Sequence, residues 1–393
     1  MPSFEFATAQ QILFGSGKIS QLPAIAARHS LRRCMVVTGS SAARVQPVLD
    51  LLTRDGIELT LFAASSEPSI PMLRQAVAQG AGFHCDGVVA IGGGSVIDLG
   101  KAVAALLRNT SDLFDYLEVI GRGRSLENPS APCIAVPTTS GTGSEVTRNA
   151  VLFSPEHAVK VSLRSPSMLP VAAIVDPALT LDVPPATTAA SGMDALTQLI
   201  EPYTSSRANP LTDALCVEAI PHAARALPRA FRNGADLEAR TGMSLASLFG
   251  GLALANAGLG VVHGFAGPLG GMFNAPHGAI CAAILPHGMA ANIAHLQRST
   301  TPDSPACNSQ DTLERYRTVA RLLTGRDTAE PEDAVTFVRN LSRELEIPSL
   351  AKFGMNPAHA EEVVAKSAHA SSMKANPVAL STEELTEVYL SSL

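Results

Sequence analysis

The chain has 393 residues, of which 46% are hydrophobic and only 16% are charged, and its formal net charge is −6. This composition is typical of a folded enzyme with two, or at most three, domains and excludes a disordered or fibrous chain. Because the chain is slightly acidic and has no block of lysine and arginine, it offers no electrostatic surface for nucleic acid or for an anionic membrane.

The cysteines and the N-terminal residues both predict a cytoplasmic protein. Six cysteines stand far apart without a C-x-x-C pair, which is typical of reduced thiols rather than of a disulfide framework or a zinc finger. The segment MPSFEFATAQ lacks the basic and apolar regions of a secretory signal.

In the N-terminal half, short β-branched runs alternate with helical stretches, which predicts a parallel sheet with crossover helices. A strand or hairpin is predicted first, over residues 4–14. The further strands are predicted over residues 34–38, 58–62, 87–91, 133–136 and 172–175. The helices between them are predicted over residues 43–53, 71–79 and 95–107.

Beyond residues 184–185 the strand signals nearly vanish, and Ala/Leu-rich segments with helical spacing follow one another. We therefore predict an α/β domain over residues 1–185 and an all-α domain over residues 186–393, with the substrate in the cleft between them. The uncharged stretch 245–262 is long enough to span a membrane, but its glycine and alanine content predicts one helix buried on all sides. The polar residues 297–310 are predicted to form a surface loop.

Two glycine-rich loops each follow a strand of the predicted sheet. The first contains Gly92–Ser95 and leads into a helix whose first turn carries Asp98; the second, Pro137–Glu145, offers several hydroxyl groups beside two glycines. Glycines let backbone N–H groups approach an anion, and a helix N-terminus favours negative charge. Although glycine runs also occur in plain tight turns, two such loops at neighbouring strand ends predict a nucleotide site.

Four side chains of the helical half are candidates for a metal site. Asp194 lies among apolar residues on a predicted helix with Gln198 on the same face, and His263 and His277 follow the apolar Gly/Ala-rich stretch. Carboxylate and imidazole suit a divalent transition metal, and three such ligands leave positions open for substrate. Each residue also has a simpler explanation, because a buried histidine is often satisfied by hydrogen bonds and an aspartate can cap a helix.

Over nearly its whole length the chain resembles the iron-containing (group III) alcohol dehydrogenases. The resemblance is carried, in order, by ILFGSGK, AIGGGSVID, PTTSGTGSEVT, IVDP, GMDAL, the two-histidine segment and SSMKANP. It implies a dehydroquinate synthase-like architecture, with a dinucleotide-binding domain over residues 1–185 and a helical metal and substrate domain over residues 186–393. It also implies reversible hydride transfer between an alcohol and NAD(P), Fe²⁺ or Zn²⁺ as Lewis acid, and a homodimer or larger homo-oligomer.

The same resemblance implies roles for individual residues. The metal ligands, and hence the catalytic residues, would be Asp194, His263 and His277. The pyrophosphate side of the cofactor would be held by Gly93, Gly94, Ser95 and Asp98. The rest of the cofactor would be contacted by Thr138, Thr139, Thr142 and Lys160.

The chain departs from the family pattern at three places. Many members carry histidine where this chain has Gln198; a Gln carbonyl is a poor ligand for Fe²⁺ or Zn²⁺, so we expect weaker binding or a three-ligand Zn²⁺ site. Many also carry histidine near the nicotinamide where this chain has Gly267, so the alcohol proton needs another route, such as water. After the first strand, Gly39 and Ser40 replace an aspartate that would repel a 2′-phosphate, so NADP(H) should be accepted.

Three alternative functions stay open at the level of sequence. A maleylacetate reductase-like enzyme would reduce an acidic aldehyde or keto acid, but such proteins lack the full ligand set, and Asp194 is retained here. A dehydroquinate synthase-like lyase would use NAD without net consumption. A non-catalytic binding protein is suggested by Gln198 and Gly267 and opposed by the intact glycine loops. The residues do not distinguish an aliphatic alcohol from a diol, a hydroxy acid or an aromatic alcohol.

Overall fold

The computed structural model describes residues 3–64, 66–299 and 307–393. The chain divides into two compact units: residues 7–182 form the first, and residues 183–393 together with 3–6 form the second. We call them the sheet unit and the helical unit.

The sheet unit is built on six parallel strands in the order β1-β8-β5-β4-β2-β3. These strands are β1 (Ile12–Phe14), β2 (Arg33–Gly39), β3 (Glu58–Ala64), β4 (Gly87–Gly92), β5 (Cys133–Pro137) and β8 (Ala172–Val175). Because β2 pairs with both β3 and β4, the strand order reverses between β2 and β4. In a doubly wound sheet, ligands bind at the carboxyl ends of the strands that flank such a reversal.

Helices cover the two faces of this sheet. They are α1 (Leu22–Arg28), α2 (Gln46–Arg54), α3 (Ile70–Gly82), α4 (Gly94–Leu106) and the short α5 (Leu113–Tyr116). Alternate residues of each strand point to opposite faces. Met35 and Val37 therefore pack in one core cluster with α3 and α4, while Val36 packs in another with α1 and α2.

One prediction for this unit is wrong, and one element was missed. The N-terminal strand or hairpin over residues 4–14 is reduced to the three residues of β1, which pair with β8. An antiparallel hairpin, β6 (Asn149–Ser154) and β7 (Val159–Arg164), was not predicted. Its strands alternate buried and partly exposed residues and carry polar side chains, so they lack the continuous apolar runs that marked the sheet strands.

Helices make up the helical unit, and its described residues contain no strand. The helices are α6 (Pro185–Thr204), α7 (Pro210–Arg232), α8 (Leu237–Ala257), α9 (Val261–Phe273), α10 (His277–Ser299), α11 (Cys307–Thr324), α12 (Pro331–Glu344), α13 (Ala360–Ala368) and α14 (Thr382–Ser391). One large cluster of buried apolar side chains joins α6 to α7, α8 and α10. Capping boxes at Asn209 and Ser381 fix the starts of α7 and α14.

The prediction of a single helix over residues 245–262 is wrong. It is broken between α8 and α9, whose axes differ by 98°. Gly258 ends α8 with a φ of 75°, a backbone conformation that favours glycine. Helix α10 is long and apolar enough to span a membrane by composition, but 67% of its most apolar window is buried. The predicted loop over residues 297–310 lies partly outside the described residues, and α10 and α11 occupy the rest of it.

Candidate active site

Four potential metal-binding atoms converge inside the helical unit. They belong to Asp194 of α6, His263 of α9, and His277 and Cys281 of α10, and they all lie within 4.8 Å of one another. Asp194 Oδ1 lies 3.2 Å from His263 Nε2 and 3.8 Å from His277 Nε2. Cys281 Sγ lies 3.8 and 3.7 Å from the same two nitrogens. The structure therefore brings together the three predicted ligands and adds a thiol that sequence reasoning missed.

Close backbone contacts made by glycines bring these helices together. A Cβ on Gly278 would lie 2.4 Å from the carbonyl oxygen of Ala190, so only glycine lets the start of α10 approach α6 this closely. A Cβ on Gly260 would lie 2.9 Å from Glu201 Oε1, and Gly260 directly precedes α9, whose first turn carries His263. The signal for Cys281 was its spacing, since it follows His277 by one helical turn and shares its face.

Glu201 fixes the orientation of His263. Its Oε2 lies 2.6 Å from His263 Nδ1, and its Oε1 accepts a 2.7 Å hydrogen bond from the backbone N–H of Val262. Because Nδ1–H donates to this carboxylate, the lone pair of Nε2 faces Asp194, which is the arrangement of a metal-binding imidazole. Glu201 lies seven residues after Asp194 on α6, a spacing that places both on one helix face and could have revealed it.

The C-terminal SSMKANP motif supports the start of α9. Asn376 Oδ1 accepts a 3.0 Å hydrogen bond from the backbone N–H of Val261, and the Asn376 amide donates to Asn292 Oδ1 at 2.8 Å. Met373 packs against Gly264, where a Cβ would lie 2.6 Å from its terminal methyl. This motif therefore holds the helix that carries His263, although it contributes no ligand.

The electrostatics of the cluster favour a cation. Burial alone would raise the pKa of Asp194, but the charge of His277 and the hydrogen bonds from its neighbours hold that pKa below its usual range. Burial would lower the pKa of His263, yet its acidic partners, with Cys281 and Asp194 foremost, raise it well above the usual value. Asp194 Oδ1 and Gln198 Oε1 are buried without a hydrogen-bond partner. Asp194, His263 and His277 together fit a divalent metal, because the metal would interact favourably with acceptor atoms that otherwise face one another without a partner.

The two glycine loops meet in the sheet unit. Gly94 begins α4 one residue after β4 ends, and a Cβ there would lie 2.3 Å from Thr142 Oγ1 of the second loop. A Cβ on Gly93 would lie 3.1 Å from Thr139 Oγ1, and Thr138 donates its backbone N–H to the Gly92 carbonyl at 2.9 Å. Ser95 lies in the first turn of α4. The first loop therefore packs closely against the second.

Lys101 holds the second loop in place. Its Nζ donates to the Ser144 carbonyl and to Thr147 Oγ1, both at 2.9 Å, and its side chain is completely buried. Asp98 Oδ1 lies 3.0 Å from the same Nζ, while Asp98 Oδ2 accepts a 2.9 Å hydrogen bond from the backbone N–H of Val151 on β6.

Two of the predicted cofactor residues are thus engaged within the fold. The Asp98 carboxylate holds α4 to the hairpin and to Lys101, which fits a positioning role better than direct contact with an anionic pyrophosphate. Lys160 on β7 lies 2.6 Å from Glu67 Oε2. Gly39 ends β2 and Ser40 follows it, at the strand-order reversal where the first glycine loop also lies.

Comparison with known proteins assigns both halves of the chain. Residues 9–177 match the family model described as iron-containing alcohol dehydrogenase, and residues 188–393 match that of the C-terminal part of the same family. The chain is 38% identical to the 1,3-propanediol dehydrogenase of Klebsiella pneumoniae over 310 residues, which covers 77% of the chain and 75% of the relative. It is 34% identical to the 4-hydroxybutyrate dehydrogenase of Cupriavidus necator over 371 residues, 92% of each protein. A crystal structure of 1,3-propanediol oxidoreductase superimposes with a TM-score of 0.90 at 32% identity over 99% of each chain.

These similarities define a metal-binding oxidoreductase that uses a nicotinamide cofactor. The chain belongs to the iron-containing alcohol dehydrogenase family and is an enzyme that oxidises alcohols with NAD(P). The predicted family, fold class and activity are thereby confirmed. The relatives do not favour the reductase or lyase alternatives.

Proposed function

We propose that this dehydrogenase interconverts a short primary alcohol, with a second oxygen-bearing group, and its aldehyde, at a cation held by Asp194, His263 and His277. The convergence of these three side chains in one buried cluster is the observation that carries the proposal. The substrate class is supported by the relatives named for 1,3-propanediol and 4-hydroxybutyrate, which share a terminal alcohol and a second oxygen function.

The cation would be Fe²⁺ or Zn²⁺, and when bound it would supply the Lewis acidity that polarises the substrate C–O bond. The residues of the chain prepare its site. Glu201 holds the proton on His263 Nδ1 and so keeps Nε2 free as a ligand. Gln198 hydrogen-bonds the Asp194 carboxylate and favours its ionised form. Whether Gln198 also acts as a ligand stays a prediction, which its unpaired Oε1 supports.

The cofactor would supply the hydride acceptor of the oxidation and the hydride donor of the reduction. We propose that backbone N–H groups at Gly93, Gly94 and Ser95 bind its pyrophosphate at the start of α4, where the helix dipole favours an anion. Hydroxyl groups of the second loop would contact the remainder: Thr138, Thr139 and Thr142. Asp98 and Lys101 would position the loops, and Lys160 would reach the cofactor only by leaving Glu67.

The second strand supports use of NADP(H) as well as NAD(H). Gly39 and Ser40 place no carboxylate after β2 to repel a 2′-phosphate. For the alcohol proton, the position of Gly267 is open, since a Cβ there would meet no atom within 4 Å. We propose that water in this space takes the role that a histidine has in many family members. A homo-oligomeric state and a cytoplasmic location stay predictions.

A panel of alcohols and aldehydes tested against NAD(H) and NADP(H) would test this function. We expect the absorbance of reduced nicotinamide to change with turnover, with higher kcat/KM for diols and hydroxy acids than for simple alcohols of the same length. Comparable use of both cofactors would support the assignment of Gly39 and Ser40. Product formation without a net change in absorbance would instead identify a lyase and overturn the proposal.

A further inference from the structure

We infer that Cys281 is a fourth protein ligand of the metal and that its thiolate directs the site toward Zn²⁺. In many family members the fourth ligand is a histidine, at the position that Gln198 occupies in this chain. This inference rests on the proposed metal role of Asp194, His263 and His277. It goes further because it assigns a different ligand chemistry to this chain.

The separations of the donor atoms fit a tetrahedral zinc site. With Zn–N and Zn–O bonds of about 2.0–2.1 Å and a Zn–S bond of about 2.3 Å, tetrahedral donors lie about 3.3–3.6 Å apart. The cluster has 3.2 Å between Asp194 Oδ1 and His263 Nε2, and 3.8 Å between the same oxygen and His277 Nε2. Cys281 Sγ lies 3.8 and 3.7 Å from the two nitrogens. These four of the six separations fall within about 0.5 Å of the expected ones, and the other two are no longer than 4.8 Å.

In the neutral form of both histidines that metal binding requires, hydrogen bonding within the cluster would leave too many acceptors. His263 Nδ1 donates its proton to Glu201, so Nε2 presents a lone pair. Asp194 Oδ1 is a second acceptor and has no hydrogen-bond partner. A neutral Cys281 could donate a single S–H proton to one of the two imidazoles. A cation bound by the Cys281 thiolate would satisfy all of these atoms at once. The negative charges of Asp194 and Cys281 would then balance the two positive charges of the metal.

The position of Cys281 sets it apart from the other cysteines whose side chains the structure describes. Cys281 is fully buried, and its sulfur contacts both histidine nitrogens. Cys216, also fully buried in the helical unit, lies in the apolar core on α7 and belongs to no metal-type cluster of the described residues. Sulfur together with imidazole is the ligand chemistry of zinc rather than of iron in a carboxylate site. A four-ligand zinc can also expand to five-coordination when a substrate arrives.

Cobalt substitution of the full-length enzyme tests this ligand directly. We expect wild-type protein loaded with Co²⁺ to show the near-ultraviolet thiolate-to-cobalt charge-transfer band. Cys216→Ala, the matched control, should keep the band, and Cys281→Ala should lose it while still binding Co²⁺. In chelator competition, Cys281→Ala should also bind Zn²⁺ more than about 100-fold less tightly than wild type.

X-ray absorption of the zinc-loaded wild-type enzyme gives a second measurement that needs no variant, and we expect one Zn–S path near about 2.3 Å. Bound Co²⁺ without a charge-transfer band, or bound zinc without a Zn–S path, would overturn the role of Cys281 and leave the three-ligand site intact. Failure of wild-type protein to bind either metal would overturn the proposed metal function itself.

Discussion

Glu201 illustrates how a residue outside the ligand set can determine the metal site. Its two carboxylate oxygens engage adjacent groups of α9, the Val262 N–H and His263 Nδ1, across from α6. One side chain therefore fixes both the start of α9 and the ring orientation of a ligand. A partner of this kind fixes the tautomer of the ligand and raises its basicity, and both effects strengthen metal binding.

Replacing Glu201 should weaken metal binding. We expect Glu201→Gln to lower metal affinity by about 10–100-fold, because the neutral amide cannot hold the Nδ1 proton of His263 as a carboxylate does. Competition with a chromogenic chelator measures this affinity. Glu218→Gln is the control, since Glu218 is an exposed residue of α7 that pairs with His222. Equal affinity in both variants would contradict the orienting role.

Two glycines of the helical unit should respond oppositely to the same change. Gly267→Ala should raise the free energy of unfolding by about 0.5–1 kcal/mol, because it lies within α9 in open space and alanine favours helix. Gly278→Ala should lower it by about 1–3 kcal/mol, because the new Cβ would collide with the Ala190 backbone. Denaturant unfolding measures both. Similar effects of the two substitutions would show that the close contact between α10 and α6 is absent.

Individual site residues differed in how far the sequence could reveal them. Asp194, His263 and His277 were grouped as candidates because a carboxylate and two imidazoles are unusual in such apolar surroundings, and their role as ligands, which the family resemblance implies, stays a prediction. Cys281 was missed despite its spacing of one helical turn after His277, because a cysteine in an Ala-rich helix has the ordinary role of a small apolar residue. Asp98 illustrates the converse, since its place beside a glycine loop suggested cofactor contact, whereas its oxygens bond Val151 and approach Lys101.

At the scale of elements, the five sheet strands after β1 were predictable because each is a short, largely apolar run that ends near turn residues. The break between α8 and α9 was not, because hydropathy over residues 245–262 is continuous and only Gly258 and Gly260 mark it. The need for those glycines arises from tertiary contacts: Gly258 turns the chain with a positive φ, and Gly260 approaches Glu201. The hairpin of β6 and β7 was also missed because tertiary contacts hold it. Val151 on β6 is hydrogen-bonded to Asp98 on α4, and neither strand of the hairpin pairs with the main sheet.

The second glycine loop contains a buried acid whose ionisation should affect stability. Burial raises the pKa of Glu145 from 4.5 to about 7, although the nearby Lys101 charge lowers it. A raised pKa in the folded state means that this carboxyl favours folding fully below pH 4.5, and that the contribution is lost as pH rises through about 7. The loss amounts to at most about 3 kcal/mol.

Glu145→Gln should therefore remove this pH dependence. As the pH rises from about 5 to about 8, we expect the Tm of the variant to increase relative to that of wild type at each pH. Thermal unfolding at matched pH values measures the difference. Glu118→Gln, which changes a half-exposed residue paired with Arg164, should show a constant difference. A constant difference for Glu145→Gln as well would mean that this carboxyl is not perturbed by burial.

At the scale of the whole molecule, the candidate cofactor residues and the candidate metal ligands belong to different units. The sheet unit holds the two glycine loops and the strand-order reversal, and the helical unit holds Asp194, both histidines and Cys281. Because these groups are built from separate cores, loss of the metal should leave the cofactor loops folded. The fold class followed from pattern and resemblance, whereas the contacts that shape the site required the coordinates.

The most direct test is to remove the metal from the purified enzyme and measure both alcohol oxidation and binding of reduced nicotinamide cofactor. We expect turnover to fall by about 1,000-fold or more, since the Lewis acid is lost, and to return when Zn²⁺ or Fe²⁺ is added. Cofactor binding, followed by nicotinamide fluorescence, should stay within a few-fold of its initial value. Asp194→Asn should remain inactive after metal is restored. Full activity in protein shown to be free of metal would contradict the account.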